Sequence, residues 1–514
     1  MLPASDPHLH PKPKPHESLD SRQSCFAAVK PYISLHHRRT WFFLAVILLQ
    51  LLLLLSAPSL PFTLSPAASP YPRPAPAAAR NLTLGSPIPA EKALAVGNPP
   101  ADESTPSRAI NDGNCPYGKV YVYDLPPIFN ADILKNCDSL NPWSSRCVTL
   151  SNSGFGRPAD GISRIIPDSV AGAWYWTDQF SLEVIFHNRM LNYRCRTAEP
   201  DSAASFFIPY YTGLAVEKYL FNKNSTEEDL DRDCRRMLDW VSRQPHFARS
   251  GGWDHFFTVG RITWDFRRNE ISDWGSSCIY MPAMRNITRL LIERDPWDSM
   301  DVAVPYPSGF HPRSAADLQI WQDFISRRQR RTLFCFAGST RGFIKNDFRG
   351  ILLEQCYSEP GSCRVVGCGG GKCENGTSEI LETFLDSDFC LQPRGDSLTR
   401  RSIFDCMLAG SVPVFFWQRT AYLQYEWFLP SDRGSYSVFI DRNAVRNGTS
   451  IKGVLEKISK DEVKRMREKV IEYIPKIVYA YSNKGIDGVD DAFNVAVEGF
   501  LRRVKEQQGG IKSR

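Results

Sequence analysis

The residues best suited to chemistry lie between Ser387 and Phe416. Phe384 to Gln392 is an apolar strand pattern. It opens into a loop of small, hydroxyl and cationic residues that includes Arg394, Gly395, Asp396, Ser397, Thr399, Arg400, Arg401 and Ser402. A helix pattern carrying Asp405 follows, and then a second apolar strand, Ser411 to Phe416. Strand, loop, helix and strand in this order make half of a parallel α/β sheet. Ligands bind such sheets at the carboxyl ends of the strands. A phosphorylated ligand suits this loop, because arginine forks match phosphate oxygens and a helix N-terminus favours negative charge. Asp405 stands four residues after Arg401. It can accept two hydroxyl protons of a ligand or pair with Arg401 on one helix face.

The elements that position this loop extend in both directions. Thr332 to Ala337 is a strand pattern followed by Gly338-Ser-Thr-Arg341, which supplies another arginine. Upstream, short apolar runs at Lys119–Asp124, Ala204–Tyr211, His255–Gly260 and Asp301–Pro305 alternate with helical patterns over Trp176–Arg194 and Glu227–Gln244. Alternation of this kind predicts a parallel sheet. The globular part is too long for one typical core, and the charged stretch Arg327–Arg331 reads as a solvated boundary. The predicted division is 115–326, 327–457 and a tail of amphipathic helices over 458–514. One of these helices opens with a capping box at Ser459 and Glu462 and runs to about Tyr479, and another covers about 492–505. The fold class is α/β, with two Rossmann-like domains and a cleft between them.

The first part of the chain differs in character. Residues 1–40 are polar, and His36-His-Arg-Arg39 precedes an uncharged apolar run at 41–57. That run reads as a single transmembrane signal anchor at the short end of the spanning range, with the tail in the cytosol. A short span suits the thinner early secretory membranes. Twelve prolines between Pro58 and Pro106 make 58–114 a semi-extended stem. Thirteen of fourteen cysteines lie beyond the anchor. So do five Asn-x-Ser/Thr sites, at Asn81, Asn224, Asn286, Asn375 and Asn447. Together they place the globular part in an oxidising lumen. The formal charge of +6 accompanies no basic stripe with a nucleic-acid motif, so no nucleic-acid partner is expected.

Several segments carry a family likeness. Asp388–Pro393, Gly395-Asp-Ser397, Gly410–Val414, Phe206–Tyr211 and Phe336–Arg341 resemble the exostosin-like glycosyltransferases of family 47. Gly252–Phe266 resembles the plant xyloglucan galactosyltransferase branch of that family. The anchor and stem also resemble those of the enzyme acting on the second xylose of the xyloglucan repeat. The resemblance spans about 115–505. It implies a Golgi type II enzyme of GT-B fold that moves galactose from UDP-galactose to xylose side chains of xyloglucan, forming a β-1,2 bond with inversion. The first half would then hold the acceptor and the second the nucleotide sugar. Its implied partners are the UDP-sugar, the polysaccharide, the Golgi membrane and other glycosyltransferases of a complex. Many members carry cysteine where this chain has Ser411.

Sugar transfer requires that the leaving diphosphate be stabilised, the ribose held and the acceptor hydroxyl deprotonated. For the diphosphate the candidates are Arg341 and Arg401, with Ser397, Thr399 and Ser402 as donors and Gly395 and Asp396 in the same loop. For the ribose the candidate is Asp405. For the base they are Asp254, His255, Asp265 and Glu183. Of Trp174, Trp176, Trp253 and Trp264, at most two would stack on sugar. No metal or other cofactor is expected. Asp386-Ser-Asp388 precedes its strand and so lies at the wrong end for a ligand. Cys356, Cys363, Cys368 and Cys373 lack zinc spacing and read as disulfides. The alternatives are a same-fold transferase using another sugar, arabinosyl or galacturonosyl, and a non-catalytic Golgi scaffold.

Overall fold

The computed structural model describes residues 115–341, 347–369, 373 and 376–512. The expected anchor, the stem, Asn81 and Asn375 lie outside the described residues. No helix among the described residues is long and apolar enough to cross a membrane.

The first half builds a six-stranded sheet. Its strands are β1 (Val120–Val122), β4 (Arg196–Thr197), β5 (Ser205–Phe207), β6 (His255–Ile262), β7 (Thr288–Glu293) and β8 (Asp301–Ala303), and β2 (Arg157–Pro158) and β3 (Tyr175–Trp176) form a separate ribbon. The sheet runs β4-β1-β5-β6-β7-β8 with every pair parallel. β6 and β7 are buried along nearly their whole length, which is why they read as continuous apolar runs. Helices α1 (Leu182–Leu191), α2 (Thr212–Leu220) and α3 (Glu227–Ser242) belong to this half. The predicted helix over 176–194 is shorter than expected, since Trp176 lies in the ribbon and α1 begins only at Leu182.

The second half repeats the plan with β9 (Thr332–Gly338), β10 (Cys363–Gly367), β11 (Ser387–Gln392), β12 (Val412–Phe415) and β13 (Val438–Phe439), after α4 (Ala315–Arg327). The order is β10-β9-β11-β12-β13, again all parallel. Helices α5 (Phe348–Tyr357), α6 (Ser378–Asp386), α7 (Ser402–Leu408), α8 (Lys460–Ile477) and α9 (Ala492–Lys512) complete it. Ser459 accepts from the Glu462 amide and caps α8 as its capping residues predict. The chain goes from β9 to β10 on one side and returns from β10 to β11 on the other side of β9, so the switch point lies between β9 and β11. Ligands bind such sheets there.

Two details depart from the sequence reading. Phe384 to Asp386 close α6 and are not part of the strand. The Arg327–Arg331 stretch is only partly solvated. Arg330 turns inward and donates to the carbonyls of Phe384, Ser387 and Ala409 and to Ser411 Oγ, tying three segments of the second half together. Ser411 thus has a hydrogen-bonding role, and Cys390 pairs with Cys406.

Among the described residues, six disulfides join Cys115–Cys195, Cys137–Cys147, Cys234–Cys278, Cys356–Cys363, Cys368–Cys373 and Cys390–Cys406. Cys335 is free and buried. Asn224, Asn286 and Asn447 are exposed, as a glycan acceptor must be.

Candidate functional site

Four arginines crowd the β9/β11 switch point. Arg341, just past β9, donates to the Gly395 carbonyl and, at 2.6 Å, to Asp396. Arg349 at the start of α5 donates to the Arg394 carbonyl at 3.2 Å. Arg400 donates to the Ala337 carbonyl at 2.7 Å and lies over the Phe336 ring. Its Nη1 is buried with no hydrogen-bond partner among the described residues. Burial, and then the positive charge of Arg349, push the Arg400 guanidinium down to about 9. Burial and Arg341 likewise lower Arg349 and Arg394. Of the carboxylates near this cluster, Asp396 is 87 % exposed and Asp347 accepts from the amides of Arg341 and Arg349. Buried charges without counter-ions are costly. An arginine cluster of this kind has the charge and donor geometry that suit a multiply charged anion.

The loop that carries the cluster is held tightly. Gly395 is required by close approach, since a Cβ there would meet the Thr399 carbonyl oxygen at 1.8 Å. Glu293, the last residue of β7, accepts from the amides of Leu398 and Thr399 and from Thr399 Oγ1 at 2.8–3.0 Å. Tyr306 Oη pairs with Thr399 Oγ1 at 3.1 Å. Ser402 Oγ donates to Gln392 at 2.7 Å. Thr399 and Ser402 thus shape the loop, and the first half of the molecule holds it through Glu293. Burial raises the Glu293 carboxyl above its ordinary range, against the loop donors that lower it.

Between the halves lies a cleft cavity of about 380 Å3. Arg349, Gly395, Asp396, Thr399 and Arg400 line it from one side and Phe180, Trp264, Asp265 and Trp274 from the other. Asp265 Oδ1 accepts from Trp274 Nε1 at 2.8 Å and Oδ2 from Arg261 Nε at 2.7 Å. A second cavity of about 260 Å3 adjoins at Arg349. It adds Arg442 and Arg446 to the cations, with Phe348, Phe416 and Trp417 as its apolar wall.

The four base candidates fall in three places. Asp265 faces the cleft. Glu183 is buried behind it, accepting from the amides of Gly213, Leu214 and Gly260, and so caps α2. Burial pushes it up to about 7. Asp254 and His255 stand at the amino end of β6, roughly 20 Å from the cleft end by strand rise. There His255 bonds Asp254 at 2.6 Å and Tyr123 Oη at 2.8 Å and stacks on Phe206. Burial lowers His255 despite the raising effect of Asp254.

Arg401 points away from the Arg400 cluster. It donates to the Thr177 carbonyl and pairs with Asp405 at 3.1 Å within the helix turn. Both line a narrow slot of about 20 Å3 with Trp174, Trp176, Thr377 and Ile380. Burial raises Asp405, and Arg401 opposes it. Trp174 is a core residue. Trp253 is partly buried against the core. Of the four tryptophans named from sequence, Trp264 is half exposed, at 50 %, in the cleft wall. Asp386 pairs with Arg328 and Arg331, and Asp388 with Arg467, at the amino end of β11. Sequence reading missed Arg349, Arg400, Glu293 and Trp274. Arg400 was legible as half of an arginine doublet, but not in its direction.

The Exostosin GT47 domain model matches residues 114–456. The chain belongs to the Exostosin GT47 family. The xyloglucan galactosyltransferase XLT2 of Arabidopsis thaliana is 54% identical over 528 residues, with 100% of both chains covered. Xyloglucan galactosyltransferase MUR3 of the same plant is 40% identical, covering 75% of this chain and 62% of the relative. Its xyloglucan-specific galacturonosyltransferase 1 is 38% identical, over 76% of this chain and 58% of the relative. Among solved structures, the pneumococcal O-GlcNAc transferase GtfA in complex with UDP and GlcNAc is 9% identical. It covers 53% of this chain and 60% of that one, with a TM-score of 0.28, too low to bear on fold or function.

Proposed function

We propose that this chain is an inverting glycosyltransferase that moves galactose from UDP-galactose to xylose side chains of xyloglucan, forming a β-1,2 bond. The observation that carries the reading is full-length identity of 54% to a xyloglucan galactosyltransferase, joined to a cleft with clustered arginines on one wall. In this reading Arg341, Arg349 and Arg400 take up the negative charge that grows on the departing diphosphate. Fixed donors aimed at developing charge give such sites most of their rate enhancement. Asp405 accepts the ribose hydroxyls, once a nucleoside opens the slot beside Trp176. Asp265 takes the proton from the acceptor hydroxyl. Its two oxygens accept from Arg261 and Trp274, and each carboxylate oxygen keeps a second lone pair able to take a proton. Cations already fixed at the diphosphate make a metal ion dispensable. The enzyme would be held in the Golgi membrane by the segment 41–57, with its catalytic part in the lumen, alongside other transferases of the same polymer.

A transfer assay with the luminal part from Asn81 onward tests this. Galactose-free xyloglucan oligosaccharides are offered with a panel of UDP-sugars, with and without EDTA, and products are read by mass and linkage. Galactose on xylose, insensitive to EDTA, is the expected result. Transfer of galacturonic acid or arabinose would overturn the donor. EDTA sensitivity would overturn the arginine account. Loss of both transfer and UDP binding would favour a scaffold.

A further inference from the structure

The cleft wall does not end at Trp274. Its ring meets Phe221 at 5.9 Å, and Phe221 meets Trp143 at 4.8 Å. Trp143 is 72 % exposed. It sits on the loop closed by the Cys137–Cys147 disulfide. That loop is fixed again by Asn141, which donates to Glu217 at 2.9 Å and accepts from the Trp143 amide at 2.9 Å. A large apolar ring held out into solvent on a cross-linked loop has little freedom left to lose on binding. Exposed apolar patches with a polar rim mark interaction sites.

We propose that Trp264, Trp274, Phe221 and Trp143 form a continuous track for the backbone of the acceptor, a neutral polysaccharide, with Trp143 as a distal subsite outside the catalytic cleft. The inference rests on the glycosyltransferase reading above and adds the path and length of the acceptor. Two observations select this occupant. The track is continuous with the cavity where Asp265 and Arg400 meet, so a polymer whose side chain reacts there can leave along it. The charges beneath the track are paired with one another. Arg261 lies over Phe180 and Phe221 and pairs with Asp265 and Glu217. That leaves flat rings for the C–H faces of pyranoses and offers little to an ionic ligand. The arginine-lined cavity on the other side of Arg349 has the opposite character.

The test compares one-repeat and multi-repeat xyloglucan oligosaccharides as acceptors for the wild type, Trp143→Ala and Trp143→Phe. The ratio of kcat/KM for the long acceptor to that for the short one should fall roughly three- to ten-fold in Trp143→Ala, through KM, and recover in Trp143→Phe. Retention of Trp143→Ala in a native gel containing xyloglucan should weaken in parallel, while its affinity for UDP matches the wild type. Equal loss on both acceptors, or no change in the ratio while UDP is still bound, would overturn the distal subsite and leave the transferase reading intact. A wild type that transfers to neither acceptor, yet binds the polymer through Trp143, would overturn the transferase reading and keep the track.

Discussion

At the carboxyl edge of the second sheet, the guanidiniums of Arg341 and Arg349 lie within 4.0 Å of the exposed Asp396, those of Arg394 and Arg400 have no ion-pair partner among the described residues, and Asp347 accepts from the Arg341 amide at 2.8 Å. At the carboxyl edge of the first, every cation has its match. Arg261 pairs with Asp265 and Glu217, and Arg267 with Asp295, Asp298 and Asp301. Near the amino end of β7, Arg289 pairs in the same way with Asp298 and Asp301. Burial and neighbouring cations depress the guanidiniums of Arg349, Arg394 and Arg400. At the edge of the first sheet, Asp301 and its neighbours raise Arg267 against burial. Two sheets of one topology therefore do different work. Matched pairs hold a wall in place, and the cluster of Arg349, Arg394 and Arg400 has the charge to suit an anion.

The comparison can be broken by mutation. Asp265→Asn should give the largest loss, lowering kcat by about three orders of magnitude while UDP binding persists. If transfer survives, the base lies elsewhere. Arg400→Ala should cost about 100-fold in kcat/KM and weaken UDP binding, as removal of a charge-stabilising donor does. Arg267→Ala, on the matched edge, should instead lower the melting temperature and leave UDP affinity alone. Equal loss of UDP binding in both variants would erase the distinction between the edges.

Glu183 sharpens it further, because its ligands are backbone amides. Its folded value of about 7 lies above the ordinary 4.5. The native state therefore binds more protons than the unfolded chain between these values. Stability from this group is present below pH 4.5 and is lost as pH rises through 7. The loss is about 3 kcal/mol. Glu183→Gln should remove this trend, so the difference in stability between variant and wild type should grow from pH 5 to pH 8 in thermal melts. A constant difference would mean that the carboxyl does not titrate in this range. The smallest catalytic effect belongs to Asp254→Asn at the far end of β6. Here kcat should hold while the melting temperature drops by a few degrees. A selective loss of kcat would return the base to that edge.

Much of the architecture is legible in the residues. Buried parallel strands such as Val412–Phe415 and His255–Ile262 read as apolar runs, and Ser459 announces α8. The loop 393–402 was legible as a ligand loop from its small residues and arginines. Its internal assignments were not. Arg400 and Arg401 are neighbours in type and position. Yet one turns to Ala337 and Phe336 beside the cleft, while the other crosses to Thr177 in the first half. No periodicity distinguishes them, because the choice depends on partners more than 60 and 200 residues away. Likewise Asp254, His255 and Asp265 share one short segment. Only the direction of β6 decides that the first two start the strand and the third ends in the cleft.

By itself, the amino-acid sequence determined the elements, their parallel pairing, the lumen-compatible cysteines and the family, because these follow from local pattern and composition. Tertiary structure alone decided which cations are left unmatched, which carboxylate faces the cavity and which tryptophans stand in the open. Those properties belong to distances between segments far apart in the chain. A residue's charge is written in its type, but whether that charge is satisfied depends on what folding brings next to it.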